Sequence, residues 1–409
     1  MISIIDKHNC CGCSACVQIC PKQCITFEED EKGFRYPSVD SEICVDCGLC
    51  EKVCPIITPN VALKPLHAYA AINSHEEIRE QSSSGGVFTS LAEKVVKDGG
   101  VVFGAKFNDN WEVIHDNTET IEGLGAFRGS KYVQSVIGES YIKAEFFLKQ
   151  GREVLFSGTP CQIAGLKTYL KKEYDNLITI DVICHGVPSP LVWRDYLSTI
   201  VQKYNTTTNC ISRISFRDKR NGWHKYGLSI YSNVDNKNRC LFWEFRWNNI
   251  FMKLYMNDLC LRPSCHKCMF KAGASQSDIT IADYWGVGDF LPKLDDNRGT
   301  SLLLANTAKG CSLLKDGISL SDSVNYKGAL SRNTAYFNSP IEHKGIAEFW
   351  DYFFSNGLIG IERNILSKYK RPLKNRIVSW VKGILKKLTP KDLLNKYRKQ
   401  RVKDKYEQI

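Results

Sequence analysis

The sequence has 409 residues, of which 43% are hydrophobic and 24% are charged, a composition typical of a globular protein with two or three domains. It contains no run of roughly 18 apolar residues, the length that a membrane-spanning helix needs, and it opens without a signal-peptide pattern, so we expect a cytoplasmic protein. The net charge of +11 is concentrated in residues 362–409, where sixteen Lys and Arg accompany four acidic residues. Because the rest of the chain is near neutral, we expect no nucleic-acid partner.

Two copies of one cysteine pattern occupy the first 55 residues. Each reads C-x2-C-x2-C-x3-C-P, the bacterial run that holds [4Fe–4S] clusters, in which the fourth cysteine of each run binds the other cluster. The predicted ligands of one cluster are Cys10, Cys13, Cys16 and Cys54, and those of the other are Cys44, Cys47, Cys50 and Cys20. The alternative is zinc, which uses four ligands in two pairs and leaves the other cysteines without a role. The spacing predicts a ferredoxin-like module over residues 1–60.

The pattern between and after the cysteine runs predicts the remaining elements. Residues 24–40 read as two strands joined by a turn at 31–33, and the prolines of residues 56–66 mark a linker. Strands and helices then alternate, with strands at 66–74, 100–107, 153–156 and 177–184 and helices at 85–98, 139–149 and 162–172. Residues 213–247 read as antiparallel strands. The predicted fold class is α+β, with the module followed by an α/β-type domain, additional antiparallel strands and a basic helical tail over 362–409.

A serine- and glycine-rich loop opens the helix predicted at 85–98. Ser83, Ser84, Gly85 and Gly86 place hydroxyls and backbone amides at its N-terminus. This arrangement suits a phosphate group, although serine caps precede many helices that bind nothing.

Residues 156–162 turn from a strand into a helix. Thr159 is the predicted cap, Pro160 is the first helical residue, and Cys161 lies in the first turn, where the helix dipole favours a thiolate. Cys161 is therefore an iron ligand, a redox-active thiol or a buried small residue. Cys184 and His185 end the next strand in the same way, so we expect Cys161 and Cys184 to face one crevice.

A third cysteine group has the spacing C-x4-C-x2-C and consists of Cys260, Cys265 and Cys268. The spacing is similar to the plant-type ferredoxin pattern, in which the fourth cysteine is remote, and it predicts a third [4Fe–4S] cluster completed by Cys184 or Cys161. The alternative is a zinc site that uses His266. That histidine lies between two of the cysteines and too close to them in sequence to share their metal.

Together these motifs resemble the beta-subunit family of coenzyme F420 hydrogenases and dehydrogenases. The matching stretches, within residues 1–290, are SSSGGVFTSLAEKVVKDGGVVFGAKF, FRGSKYVQS, LFSGTPCQIAGLK, DVICHGVPSP, SFRDK followed by GW, CLRPSCHKCMFK and SDITIADYWG. The resemblance implies FAD, or else FMN, beside a [4Fe–4S] cluster in one domain, with residues 66–150 as its N-terminal part and residues 151–361 as its C-terminal part. It implies that the flavin phosphates are held by Ser83, Ser84, Gly85 and Gly86. It also implies that the cofactor cleft is lined by Arg128, Gly129, Lys131, Thr159 and Pro160.

The activity that the resemblance implies is that of an iron–sulfur flavoprotein oxidoreductase. Electrons would come from ferredoxin or a similar donor, and the acceptor would be a small organic substrate, with surface-polysaccharide synthesis as one setting. His185 and Cys161 are the candidate catalytic residues, His185 as a proton donor or else as a structural histidine. Three alternatives remain: an electron-transfer subunit without a substrate site, a coenzyme F420-dependent enzyme, which the fused module disfavours, and a structural role for the clusters.

Residues 371–390 of the tail read as a basic amphipathic helix that carries Trp380. Such a helix is typical of a membrane-surface anchor, which would place the protein at the inner face of the membrane. The alternative is a helix that packs its apolar stripe against the body.

Overall fold

The computed structural model describes residues 1–234, 237–314, 318–321 and 323–369, so the predicted tail helix lies outside the described residues. Among these residues no helix is both long enough and apolar enough to span a membrane. The strands are β1 (Ile25–Glu29), β2 (Arg35–Val39), β3 (His67–Asn73), β4 (Val101–Phe107), β5 (Val113–Thr118), β6 (Val154–Gly158), β7 (Leu177–Val182), β8 (Ile211–Asp218), β9 (Gly227–Val234), β10 (Lys237–Phe245), β11 (Ile279–Asp283), β12 (Ser301–Ala305) and β13 (Ile318–Leu320). The α-helices are α1 (Ala15–Gln18), α2 (Leu49–Lys52), α3 (Glu76–Gln81), α4 (Val87–Lys97), α5 (Ser140–Lys149), α6 (Pro160–Leu170), α7 (Pro190–Lys203), α8 (Ile250–Met256), α9 (Val287–Phe290), α10 (Ala308–Ser312), α11 (Tyr326–Ala329), α12 (Ile346–Asn356) and α13 (Ile361–Asn364).

A mixed sheet with the strand order β13-β3-β12-β11-β7-β6-β4-β5 forms the centre of the molecule. Its inner strands β4, β6, β7 and β11 run parallel to their neighbours in this group. Strands β6 and β7 are mostly buried, as expected for strands that helices cover on both faces. Because β12 is antiparallel to both β11 and β3, the carboxyl ends of β3, β6, β7 and β11 lie at one edge. Ligands of open α/β sheets bind at such an edge.

The antiparallel strands predicted at 213–247 form a second sheet, ordered β10-β9-β8. This sheet shares a core with α7, α8 and α12, in which Trp193, Phe216, Phe251 and Phe349 are almost fully buried. The segment 259–261 is part of the same core, and it leads directly into the loop of Cys265 and Cys268. The second sheet therefore provides a rigid base for the third cysteine group.

The ferredoxin-like module contains the predicted hairpin, in which β1 and β2 are antiparallel and Gly33 in the turn has φ +81°. Each cysteine run passes through a short helix, and α2 begins after Gly48, which has φ +71°. Gly12 also has a positive φ, of +72°. Left-handed backbone at Gly12 and Gly48 lets the chain turn between closely spaced cysteines without a Cβ clash.

The module is docked on the body through specific contacts as well as a shared core. Gln18 Oε1 accepts hydrogen bonds from the backbone N–H groups of Tyr141 and Ile142 at 3.0 and 3.2 Å, so a side chain of the module caps α5. Thr168 Oγ1 of α6 donates to the carbonyl of Val53 at 2.7 Å. Cys11, Cys13, Ala15 and Val53 belong to the same apolar cluster as Phe156 and Ile163. The module and the body therefore form one packed unit.

Helix α6 approaches the first cysteine run so closely that position 165 has no room for a side chain. A Cβ at Gly165 would lie 2.7 Å from Cys13 Cβ and 3.0 Å from Tyr141 Oη. Distances below 3.0 Å force neighbouring atoms to shift. The glycine is thus required by the docked module rather than by helix formation, which it weakens.

We expect Gly165→Ala to destabilise the protein by roughly 1–3 kcal/mol through overpacking against Cys13. Helix propensity alone predicts the opposite, a gain of about 1 kcal/mol. Gly125→Ala is the matched control, because an added Cβ there meets no atom within 4 Å. Chemical denaturation of the iron-loaded protein measures both. Equal stability of the two variants would contradict the close contact.

Candidate functional site

The structure brings the first predicted ligand set together. Burial raises the pKa of the Cys16 thiol above its usual range, and the adjacent thiols of Cys10 and Cys54 raise it further. Cys13 interacts with Cys16 and Cys54 in the same way. We call Cys10, Cys13, Cys16 and Cys54 the inner cysteine group. Three of its members come from the first run and the fourth from the second, as the crossed pairing requires.

The second predicted set lies nearer the surface. A shallow cavity is lined by Cys20, Cys44, Cys47 and Cys50, together with the extra cysteine Cys24. Cys47 is exposed, and Cys20 Sγ lies 3.4 Å from Cys24 Sγ. We call Cys20, Cys44, Cys47 and Cys50 the outer cysteine group. The outer cysteine group therefore lies on the side of the module that an external molecule can approach.

A third group of thiols lines a cavity at the carboxyl edge of the main sheet. Its cysteines are Cys11, Cys161, Cys184, Cys265 and Cys268, and we call it the cysteine cavity. Burial raises the pKa of Cys184 well above its usual range, and neighbouring thiols raise it further, namely Cys265, Cys161 and Cys268. As expected, Cys161 and Cys184 face one crevice.

Cys260, the first cysteine of the C-x4-C-x2-C group, does not line the cysteine cavity. It is fully buried in the core beneath the second sheet, and its carbonyl accepts a hydrogen bond from Ser189 N at 2.8 Å. Burial raises the pKa of its thiol to about 12. The spacing predicted that Cys260 lies together with Cys265 and Cys268. This prediction was wrong, because the fold separates Cys260 from the other two.

Cys161 lies where the sequence places it, in the first turn of α6. Thr159 and Gln162 form the capping box of this helix, which confirms Thr159 as the cap, and Pro160 is its first residue. The expected thiolate does not follow, because a hydrogen bond with Cys11 and then burial raise the pKa of Cys161 well above its usual range. Thr159 Oγ1 lies 3.2 Å from Cys161 Sγ. Contact with Cys11 therefore outweighs the helix dipole at this position.

The donors present fit iron–sulfur clusters. Thiolates are the ligands of such clusters, and each of the three groups offers at least four thiols. No three His, Cys, Asp or Glu side chains of the described residues converge closely enough to hold a single metal ion. A cubane places its four ligands on four different irons, so its thiolates lie farther apart than those of one ion.

Two further side chains line the cysteine cavity. His185 Nε2 lies 2.5 Å from Asp258 Oδ1, and the His185 ring meets the edge of Tyr255 with 5.6 Å between ring centroids. Lys271 Nζ donates to the carbonyls of Cys184 and Ala335 at 2.6 and 2.9 Å. The cavity thus combines a carboxylate-held imidazole and a fixed ammonium group with its thiols.

The loop predicted to hold the flavin phosphates is also at the carboxyl edge. It connects α3 to α4, and its Gly85 carbonyl accepts a hydrogen bond from Asn73 N at the end of β3, at 2.7 Å. Ser83 Oγ accepts a hydrogen bond from Ser130 N at 2.7 Å, which joins this loop to the segment that carries Arg128, Gly129 and Lys131. Arg128 donates to Gln81 and Thr89 at 2.8 and 3.2 Å. Gly86 has φ +81° and is the N-cap of α4. Seven of the nine predicted flavin residues, all except Thr159 and Pro160, are therefore neighbours.

Three of these predicted residues make contacts within the protein that limit their role. Lys131 Nζ donates to the carbonyls of Ala126, Arg128 and Gly129 within its own loop, and burial lowers its pKa to about 7. Ser84 Oγ donates to Thr300 O, and Gly85 N to Ser301 Oγ, both at 2.9 Å. Thr159 and Pro160 line the cysteine cavity instead.

Arg217 and Asp283 lie between the cysteine cavity and the loop of residues 83–86, which we call the serine loop. Sequence reasoning missed both residues. Arg217 forms two hydrogen bonds with Asp283, at 2.6 and 3.0 Å, and a third with Ser83 O at 3.3 Å. Within the described part of the chain, Arg217 Nε is buried and has no hydrogen-bond partner. A buried N–H donor without a partner fits a site for an acceptor group of a bound ligand. Both residues lie in stretches that carry the family resemblance, Arg217 in SFRDK and Asp283 in SDITIADYWG.

Two stacked tyrosines connect these regions. Tyr132 and Tyr255 stack with 4.8 Å between ring centroids, Arg217 Nη1 donates to Tyr132 Oη at 3.2 Å, and Tyr255 meets His185. A continuous set of contacts therefore runs from the serine loop to the cysteine cavity along one edge of the sheet.

Comparison with known proteins identifies two regions of the chain. Residues 151–322 match the family described as the C terminus of the coenzyme F420 hydrogenase/dehydrogenase beta subunit, and residues 9–56 match the 4Fe-4S dicluster domain. No curated protein matched. Among solved structures, a chain of the xenon-derivatised F420-reducing [NiFe] hydrogenase complex from Methanosarcina barkeri is 16% identical, with a TM-score of 0.42, over 67% of this chain and 91% of that one.

The family resemblance is thus confirmed. The chain joins a 4Fe-4S dicluster domain to the C-terminal domain of the coenzyme F420 hydrogenase/dehydrogenase beta-subunit family. It is an iron–sulfur electron-transfer protein related to that oxidoreductase family.

We expect Arg217→Met to destabilise the protein by roughly 3–5 kcal/mol, because it leaves Asp283 in a largely buried site without its cation. Combining it with Asp283→Leu should recover most of this loss, since both charges are then absent. Arg298→Gln is the control, because the Arg298 side chain is 54% exposed and its ion pairs should matter little. Urea denaturation of the wild-type protein, the single variants Arg217→Met and Asp283→Leu, their combination and the control measures the coupling. Additive losses from the two core substitutions would contradict it.

Proposed function

We propose that this chain is an iron–sulfur flavoprotein oxidoreductase, which takes single electrons from ferredoxin or a similar donor and reduces a small organic acceptor. The observation that carries the proposal is the position of the cysteine cavity. Cys11 packs against both Cys13 of the inner cysteine group and Cys161 of the cavity. The cavity also reaches the residues that end β6 and β7. It therefore lies between the dicluster domain and the edge where a substrate would bind.

In this proposal the cysteine cavity holds a third [4Fe–4S] cluster with the ligands Cys161, Cys184, Cys265 and Cys268. These residues replace the set predicted from spacing, since Cys260 is elsewhere in the core. Cys11 is the remaining thiol of the cavity and packs between the inner group and Cys161. Lys271 places a positive charge beside Cys184, which partly offsets the negative charge of four thiolates.

The serine loop and Arg217 support a flavin at the same edge. A bound flavin would supply the chemistry that converts single-electron delivery into reduction of an organic molecule by two electrons. The backbone at Gly86 and the Arg128 side chain would hold its phosphates at the N-terminus of α4, and Arg217 Nε would donate to one of its acceptor atoms. Ser83 and Lys131 fix the loop that carries these groups.

His185 is the residue that would deliver a proton to the acceptor. Asp258 lies against Nε2, which fixes the orientation of the ring and leaves Nδ1 as the nitrogen that would deliver the proton. The exposed Cys47 side of the outer cysteine group is where the donor protein would approach. If reduced protein reacts only with a co-purifying partner and with no small molecule, the chain is an electron-transfer subunit instead.

The iron content tests the third cluster. Anaerobically purified protein should contain about twelve iron atoms per chain, and alanine at Cys161, Cys184, Cys265 or Cys268 should lower this to about eight. Cys260→Ala is the control, because it removes a buried thiol outside the cavity, and it should retain about twelve. A loss of four iron atoms in Cys260→Ala, with none in Cys161→Ala, would restore the ligand set predicted from spacing.

Flavin retention tests the serine loop. Arg128→Ala should weaken flavin binding at least tenfold, because a hydrogen bond to a charged group contributes roughly 1.5–3 kcal/mol. Arg152→Ala is the control. Arg152 is also partly exposed, but it donates to Gly99 at the amino edge of the sheet, opposite the loop. Fluorescence of flavin released on dilution measures both. Equal release would exclude the loop as the flavin site, and iron content should not change in either variant.

A further inference from the structure

Arg262 lies at the contact between the dicluster module and the body, and its side chain is fully buried. Its Nε donates to the carbonyl of Cys10 at 2.8 Å, and Nη2 lies 3.5 Å from Cys10 Sγ. The same guanidinium donates to Gln134 Oε1 and to Arg35 O, each at 3.0 Å. Arg262 therefore binds the first residue of the inner cysteine group through both backbone and sulfur.

The guanidinium of Arg262 has no carboxylate partner among the described residues, since none of the ion pairs there includes it. Its flat faces meet aromatic rings, with Tyr36 at 4.2 Å and Phe34 at 5.6 Å from the ring centroids. The titratable groups around it include Tyr36 and four thiols, namely Cys10, Cys11, Cys161 and Cys265. Burying a cation without an anion is costly, so a buried arginine normally has a counter-ion.

The first cysteine run is shaped around this side chain. Gly12 has φ +72°, and a Cβ there would lie 2.7 Å from Gln134 Nε2 and 3.0 Å from Arg262 Cζ. Gln134 in turn donates to the carbonyl of Cys11 at 3.3 Å. The loop of the first cysteine run thus lies directly over the Arg262 guanidinium. This contact fixes the distance between the guanidinium and the cysteine sulfurs.

We infer that Arg262 is the counter-ion of the [4Fe–4S] cluster bound by the inner cysteine group and that it raises the reduction potential of this cluster. The inference rests on the dicluster assignment within the proposed function. A cluster with four thiolate ligands carries a net negative charge, which grows by one when it accepts an electron. A fixed cation and an N–H donor to a cluster sulfur stabilise the reduced state more than the oxidised state.

The position of Arg262 favours electron transfer in one direction. The outer cysteine group lies on the exposed side of the module, whereas Arg262 lies on the buried side and three residues before Cys265 of the cysteine cavity. An electron that enters at the outer group is therefore drawn toward the inner group, which is next to the cavity. Arg262 is a positioning residue and does not contact substrate.

Potentiometric titration followed by electron paramagnetic resonance tests the inference. Arg262→Gln should lower the midpoint potential of one N-terminal cluster by about 59 mV or more, a tenfold change in its one-electron equilibrium, and leave the other cluster unchanged. Arg262→Lys keeps the charge and should restore at least half of the shift. Arg194→Gln is the control at the same interface, where Arg194 pairs with Glu29 and Glu112, and it should move neither potential.

A second readout compares the melting temperature of the chelated apoprotein with that of the iron-loaded protein. Without a cluster the buried charge is uncompensated, so Arg262→Met should raise the melting temperature of the chelated apoprotein while lowering that of the iron-loaded protein. A fall in both forms would show that Arg262 is only a packing residue, and unchanged potentials in Arg262→Gln would overturn the inference. If the protein contains no third cluster or no flavin, only the proposed function is refuted, since neither result affects the midpoint potentials of the two N-terminal clusters.

Discussion

The close docking of the dicluster module on α6 is the constraint on which the rest of the site depends. Gly165 removes the side chain that would push Cys13 away, Gln18 caps α5 across the contact, and Arg262 reaches from the body into the first cysteine run. These contacts bring Cys11 against Cys161. If the module were tethered only by the linker of residues 56–66, the inner cysteine group would have no fixed distance to the cysteine cavity.

Charge compensation is the second theme of the structure. Thiols lose their protons when they bind iron, and burial raises the pKa of Cys16, Cys184 and Cys265, so metal binding at these positions would have to supply the free energy of deprotonation. Arg262 and Lys271 place positive charge beside two of the three groups of thiols. The buried pair of Arg217 and Asp283 behaves differently, because it is neutral in total and fixes the loop of Ser83.

Much of the fold could be predicted from the sequence. The hairpin β1–β2, the helix cap at Thr159 and the antiparallel strands after Arg213 agree with local patterns, because turn residues, caps and alternation act over a few positions. The convergence of Cys161 and Cys184 was predictable because parallel strands end at one edge. Arg217, Asp283 and Arg262 were missed, since their partners lie 66 to 252 residues away. Cys260 was misplaced because spacing does not say on which side of a loop a cysteine lies.

The spin–spin interaction between reduced clusters tests the central claim most directly, namely that the dicluster module and the cysteine cavity form one electron path. We predict that the fully reduced protein gives a broadened electron paramagnetic resonance spectrum that integrates to about three spins per chain, four irons serving each spin. Removing the cavity thiols with a Cys265→Ala and Cys268→Ala double variant should leave about two spins and narrow the signal of the inner group. A wild-type spectrum of two spins that the double variant does not alter would contradict the account.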